Sequence, residues 1–310
     1  MSSLVIDGLR YVLQTGGDGP PILLLHGFTG RGSDWARFLP VLRRGHRTIA
    51  VDLPGHGRSE APADPARGGL ERIAADLATL LGVLDAVPAA VVGYSMGARV
   101  ALRLVLDAPR VVERLILESP SAGILDAAER ARRQARDEAL ARFLEGEGIA
   151  AFLDAWLAQP LFASQAALPA STRANLRRRR LGNLPAGLAA SLRGAGQGTM
   201  APLHDRLGEI RVPTLIIAGR LDPAGLERAR AIAAAIPDAR LAVVERAGHA
   251  PHLERPALFR RLVVDFLDRP PGADAGRAPD AGRAPDAGRA PDADRPPARS
   301  RPAHLQPRHR

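Results

Sequence analysis

The chain has 310 residues, 46% of them apolar, a formal net charge of +10 and no cysteine. That is ample apolar sequence for one or two domains with a sizeable core, and it excludes disulfides, thiolate metal sites and a cysteine nucleophile. All 43 basic residues are arginine, so a P-loop lysine and a Schiff-base lysine are excluded as well.

The opening segment, "MSSLVIDGLRYVLQTGGDGP", lacks a cationic stretch followed by an apolar one. No uncharged apolar run reaches the roughly 18 residues a membrane helix needs. The expectation is a cytoplasmic chain without a membrane span. With 4% aromatic residues and no nucleic-acid-binding motif, the positive charge points to anionic small molecules and not to DNA or RNA.

In chain order, "PILLLHG" (21–27), "TIAVDLPG" (48–55), "AAVVGYS" (89–95) and "RLILES" (114–119) read as buried strands. "LERIAADLATLLGVLDA" is a helical stretch between the second and third. From Ile124 to Leu207 no strand pattern occurs, only helical, arginine-rich sequence. Strands return at "TLIIAGR" (214–220) and "LAVVERAGH" (241–249), with helical "LERARAIAAAI" between them. This alternation predicts an α/β fold, a mostly parallel central sheet flanked by helices. Residues 1–123 and 208–268 are expected to form its core. An inserted helical cap, 124–207, is expected over the carboxyl edge of the sheet, where open α/β sheets place ligands. The tail, 269–310, repeats Ala-Pro-Asp-Ala-Gly-Arg, carries nine arginines against five aspartates and has almost nothing to bury, so it reads as disordered.

Gly93-Tyr94-Ser95-Met96-Gly97 has the G-x-S-x-G spacing of a nucleophile elbow, set between an apolar strand and an amphipathic helix. Such a turn exposes the serine hydroxyl at a helix N-terminus. A serine needs a base, and the base needs an orienting carboxylate. His249 and Asp222, each just after a strand, supply them in the chain order Ser95, Asp222, His249. His252 is the rival base and Glu118, closing "LILES", the rival acid. The amide of Met96 and that of Phe28, after His26-Gly27, are the expected oxyanion donors. His26 braces that loop, and His56 and Ser59 are structural. The eight histidines are scattered, so no metal and no cofactor are expected.

Arg99 lies one helical turn after Ser95 on the same helix face. The spacing admits two roles, a cation lining the pocket or one half of an ion pair with a loop carboxylate. The segments "ARRQARDEALARF" (131–143), "FLDAWLAQPLFAS" (152–164) and "RRRRLGNLPAGLAASLRG" (177–194) would bring more arginines, with Trp156, over the same edge. Several guanidiniums above a serine suit a substrate with two or more carboxylates.

"LLLHGFTG", "VDLPGHGRS", "GYSMG", "AGRLD" and "AGH", in this order, resemble the α/β-hydrolase fold family over residues 10–268. That fold hosts many chemistries. "GYS-x-G-x-R", "LILESPSAGI" and "AWLAQPLFAS" further resemble the 2-succinyl-6-hydroxy-2,4-cyclohexadiene-1-carboxylate synthases of menaquinone biosynthesis. The resemblance implies a lyase that eliminates pyruvate, with Ser95, activated by His249 and Asp222, abstracting a ring proton. It implies that Arg99, Arg133 and either Arg180 or Arg177 grip carboxylates, while Tyr94 and Trp156 complete the wall. The competing expectation is a serine hydrolase, an esterase or C–C bond hydrolase, using the same triad as a nucleophile system.

Overall fold

The computed structural model describes residues 1–269, and the repeat-bearing tail from 270 onward lies outside them. Eight strands form one sheet: β1 (Ser2–Ile6), β2 (Leu9–Gly16), β3 (Pro21–Leu25), β4 (Arg47–Asp52), β5 (Ala89–Tyr94), β6 (Val112–Glu118), β7 (Thr214–Gly219) and β8 (Ala239–Val244). Their spatial order is β1-β2-β4-β3-β5-β6-β7-β8. β3 to β8 are parallel, and β1 and β2 form an antiparallel edge. The helices are α1 (Leu39–Leu42), α2 (Leu70–Val83), α3 (Met96–Asp107), α4 (Ala127–Leu157), α5 (Ala170–Leu181), α6 (Pro185–Ala195), α7 (Pro223–Ala235), α8 (Pro251–Glu254) and α9 (Pro256–Leu267).

The strands are apolar at successive positions because both faces of the sheet are covered. Leu23 and Leu25 of β3 pack with α2, α3 and α7 on one face. Ile22 and Leu24 point the other way, into a cluster with Trp35, Phe38, Phe259 and Phe266. The side-chain period of two thus divides one short strand between two cores.

All six strands expected from the pattern are present, with shifted ends. The runs 48–55 and 241–249 stop as strands at Asp52 and Val244, because their last residues turn into loops at the sheet's carboxyl edge. The β1–β2 hairpin is an addition to that expectation. It turns at Asp7 and Gly8, with φ of 45° and 75°, the paired positive angles of a tight hairpin turn. Asp-Gly between two β-rich runs was the signal for it.

Between β6 and β7 the described chain is helical. α4, α5 and α6 share an apolar cluster of their own, including Leu144, Phe152, Leu153, Leu188 and Leu192. α4 breaks at Gly148, whose φ of 79° no ordinary helix residue adopts. Arg193 of α6 bridges Glu138 and Glu145 of α4. Among the described residues no helix is long and apolar enough to cross a membrane.

Candidate active site

The elbow is built by close packing. A Cβ on Gly93 would lie 2.4 Å from the carbonyl oxygen of Gly97, and one on Gly97 would lie 2.4 Å from that of Leu25. Only glycine lets β5, β3 and the start of α3 approach this closely. Ser95, between them, has φ 51° and ψ −104°, a strained conformation for a residue with a side chain. It is the residue just before α3, so the amide of Met96 opens the helix and has no partner within it.

His249 Nε2 lies 3.0 Å from Ser95 Oγ, and His249 Nδ1 lies 2.9 Å from Asp222 Oδ2. A carboxylate can only accept, so Nδ1 carries the proton and Nε2 is free to accept from the serine hydroxyl. Burial works to raise the Asp222 carboxyl, but the hydrogen bonds from His249 and the Gly225 amide outweigh it and hold Asp222 below the ordinary carboxylate range. Asp222 therefore stays ionised at neutral pH.

The His249 loop is fixed from several sides. Ser119 Oγ donates to the His249 carbonyl at 2.9 Å. Glu254 accepts from the amides of Gly248 and Ala250, at 2.8 and 3.2 Å. The rival histidine, His252, and the rival acid, Glu118, are paired with each other beneath the loop.

The loop carrying Phe28 is held by His26. Leu53 N donates to its Nε2 at 2.9 Å, so Nδ1 bears the proton and donates to the Gly27 carbonyl at 2.8 Å. Burial pushes the His26 pKa down and keeps the ring neutral, which suits a brace. His56 Nδ1 lies 3.0 Å from the Pro54 carbonyl, and Ser59 joins β2 to β4 through Val12 and Asp52.

Above Ser95 lies a cavity of about 340 Å³. That is within the roughly 300–1,000 Å³ typical of small-molecule sites. Phe28, Tyr94, Met96 and Trp156 line it, and the Phe28 and Trp156 rings meet edge to face at 5.2 Å. Burial pushes the Tyr94 hydroxyl pKa up, so it stays protonated. Four arginines line the same cavity, Arg99, Arg133, Arg180 and Arg228, against two carboxylates, Asp137 and Asp222.

Arg99 is buried, at 9% exposure, and makes no ion pair with any described residue. The one hydrogen bond of its guanidinium to the described residues runs to the carbonyl of Ala195, the last residue of α6, at 2.8 Å. Such a carbonyl lacks a helical partner and carries the negative end of the helix dipole, so it anchors a cation without neutralising it. Burial, and then the nearby charge of Arg133, push the Arg99 pKa down to about 10, which leaves it charged at neutral pH. Asp137, the nearest source of negative charge, is taken by Arg133 at 2.8 Å. Arg133 also donates to Gln197, which donates to Ser121. The Arg180 guanidinium has no hydrogen bond or ion pair with the described residues, and burial lowers its pKa. Arg177, the other choice from the four-arginine run, pairs with Asp154 outside the cavity.

A model of the α/β hydrolase fold family matches residues 20–256. The chain belongs to the α/β hydrolase fold family. It is 37% identical over 265 residues to a Bacillus subtilis (strain 168) protein provisionally named 2-succinyl-6-hydroxy-2,4-cyclohexadiene-1-carboxylate synthase, covering 85% of this chain and 96% of that one. It is 33% identical over 261 residues to the protein of that name from Serratia proteamaculans (strain 568), covering 84% and 98%. Among solved structures, MenH from S. aureus superposes with a TM-score of 0.79 at 32% identity, covering 83% of this chain and 97% of that one.

Sequence reasoning did not single out Ser121, Asp137, Gln197 or Arg228, which also line this family member's cavity. Asp137 sits four residues after Arg133, a helical pairing distance that sequence spacing does show. Ser121 and Gln197 lie in loops, and nothing local marks them. Among the described residues no group of three or more His, Asp or Glu side chains is placed to hold a metal ion.

Proposed function

We propose that this chain is a 2-succinyl-6-hydroxy-2,4-cyclohexadiene-1-carboxylate synthase, a lyase of menaquinone biosynthesis. Its substrate is 2-succinyl-5-enolpyruvyl-6-hydroxy-3-cyclohexene-1-carboxylate, a small molecule with three carboxylates. The relatives at 37% and 33% identity along almost their whole length support this activity. The structural observation that carries it is Arg99, a buried guanidinium without a carboxylate partner, one helical turn from Ser95 in an arginine-lined cavity. A neutral ester gives such a charge nothing to bind, whereas a polycarboxylate does.

Asp222 holds His249 with Nε2 facing Ser95, and His249 draws the hydroxyl proton as Ser95 Oγ takes the proton from ring C2. The C2–H electron pair forms the C2–C3 double bond, and the C3–C4 double bond shifts to C4–C5. The C5–O bond breaks, its pair leaving with the enolpyruvyl oxygen, and protonation of that enol's methylene carbon gives pyruvate. Charge builds on the succinyl ketone oxygen, conjugated with C2, where the Phe28 and Met96 amides donate. Arg99, Arg133 and Arg180 bind carboxylates, and Tyr94 and Trp156 wall the ring. Residues 124–207 act as the cap over a core of 1–123 and 208–268.

The test is pyruvate release from substrate generated in situ by the preceding enzyme, followed together with the ultraviolet absorbance of the conjugated diene. The two products are expected in equal amounts, well above the spontaneous rate. Ser95→Ala is expected to lose about 10²–10⁴-fold, the usual worth of a positioned base. Diene and pyruvate appearing no faster with enzyme than without it would overturn the proposal.

A further inference from the structure

The substrate proposed above carries three carboxylates, on ring C1, at the end of the succinyl chain and on the enolpyruvyl group, and the present inference rests on that reading. The arginines assigned so far approach the cavity from two directions. Arg99 and Arg133 form one cationic wall, close enough for the charge of one to act on the other. Arg180 stands apart, near Tyr94. Two groups of cations face three anions.

Arg228 fills the missing direction. It projects from α7, the helix that begins just after Asp222, and lines the cavity on the Asp222 side. Its guanidinium makes no hydrogen bond or ion pair with any described residue, and its Nε is buried without an acceptor. A buried N–H of a charged group left unpaired is costly, and a structural arginine on a helix surface would have found a carboxylate. Its fork is free to take a planar anion in two parallel hydrogen bonds. Unlike Arg133 and Arg180, it belongs to a helix that packs directly on the sheet, so its position does not depend on the inserted helices.

We infer that Arg228 is a specificity-determining residue that binds the third carboxylate of the substrate, on the Asp222 side of the cavity. A second effect follows from its place. Its charge is the least of those that keep Asp222 ionised, behind the hydrogen bonds from His249 and Gly225, so the triad acid holds its charge without Arg228 and an anion bound there sits close to that acid without pairing with it.

The experiment is steady-state pyruvate release by wild type, Arg228→Gln and Arg228→Lys across pH. Alongside it, inhibition constants are measured for three probes: pyruvate, 2-(3-carboxypropanoyl)benzoate, and 2-butanoylbenzoate, which lacks the terminal chain carboxylate. For Arg228→Gln, kcat/KM is expected to fall about tenfold or more, the worth of a lost charge-assisted pair. The loss should sit in KM, with the pH profile unmoved and partial recovery in Arg228→Lys. The probe whose inhibition weakens names the carboxylate. Weakening for pyruvate means the leaving group. Weakening for the propanoyl probe but not the butanoyl one means the succinyl terminus. Weakening for both benzoates means the ring carboxylate. An unchanged KM, or a fall in kcat with a shifted pH profile, would overturn the inference, the latter making Arg228 a tuner of Asp222. Because wild type is assayed in parallel, failure of the lyase activity itself would be seen separately.

Discussion

Nδ1 of His252 lies 2.9 Å from the Glu118 carboxylate, and the His252 amide donates to the same group at 2.7 Å. The molecule therefore holds two histidine–carboxylate pairs three residues apart along one loop. Only one of them reaches a hydroxyl. His249 meets Ser95, while His252 packs among the rings of Tyr94, Trp35 and Phe259, at distances of 4.6, 5.3 and 5.9 Å. The same chemical pairing presents a ring nitrogen to the Ser95 hydroxyl in one place and ties the loop to β6 in the other.

The two acids should respond oppositely to loss of charge. Asp222→Asn is expected to lower kcat by on the order of 10³–10⁴-fold, because the amide favours the wrong imidazole tautomer. Its unfolding temperature should change little. Glu118→Gln is expected to cost about 1–2 kcal/mol of stability by weakening a buried, charge-assisted contact, with kcat within a few-fold of wild type. Thermal unfolding and steady-state kinetics on both variants check this pair of outcomes.

Gly97→Ala tests the elbow's packing. The added methyl would press on the Leu25 carbonyl, which belongs to a central strand and cannot move aside. A loss of about 1–3 kcal/mol is expected, the range for an overpacked core. Chemical denaturation measures it, and a variant as stable as wild type would mean that the elbow relaxes freely.

The bridge from Arg193 to Glu138 and Glu145 has a pH signature. The hydrogen bonds from Arg193 and then Arg142 pull the Glu138 pKa from its usual value near 4.5 down to about 2. A carboxylate depressed in the folded state stabilises above its unfolded pKa, and that contribution is lost as pH falls through the folded one. Arg193→Ala should therefore lower the unfolding temperature at neutral pH. The gap from wild type should close between about pH 4.5 and 2, and shrink in salt because these groups are exposed. A gap that persists at pH 2 would mean that Arg193 acts by packing.

Much of this was legible in the residues. The six core strands are short apolar runs closed by turn residues, and the elbow spacing fixes what β5 and α3 must do around Ser95. Asp222 and His249 stood out because each falls at the end of a strand-like run, and the structure places both in the loops that follow β7 and β8. Three limits were physical. Arg177 and Arg180 differ by less than one helical turn, and only the packing of α5 sends Arg180 inward and Arg177 to Asp154. Arg99's lack of a carboxylate partner depends on Asp137 being claimed by Arg133, a competition among long side chains that spacing does not decide. Ser121, Gln197 and Arg228 reach the cavity only through tertiary folding.

The most direct measurement sets two substrates against three proteins. Pyruvate release from the enolpyruvyl cyclohexene and hydrolysis of p-nitrophenyl acetate are compared in wild type, Ser95→Ala and Arg99→Ala. Fast pyruvate release is expected from wild type, with negligible ester hydrolysis. Ser95→Ala should lower it by about 10²–10⁴-fold, and Arg99→Ala on the order of 10- to 100-fold, as loss of a charge-assisted carboxylate contact requires. Pyruvate release at the spontaneous rate, beside brisk ester hydrolysis that survives Arg99→Ala, would contradict the account and make the triad that of an ordinary serine hydrolase.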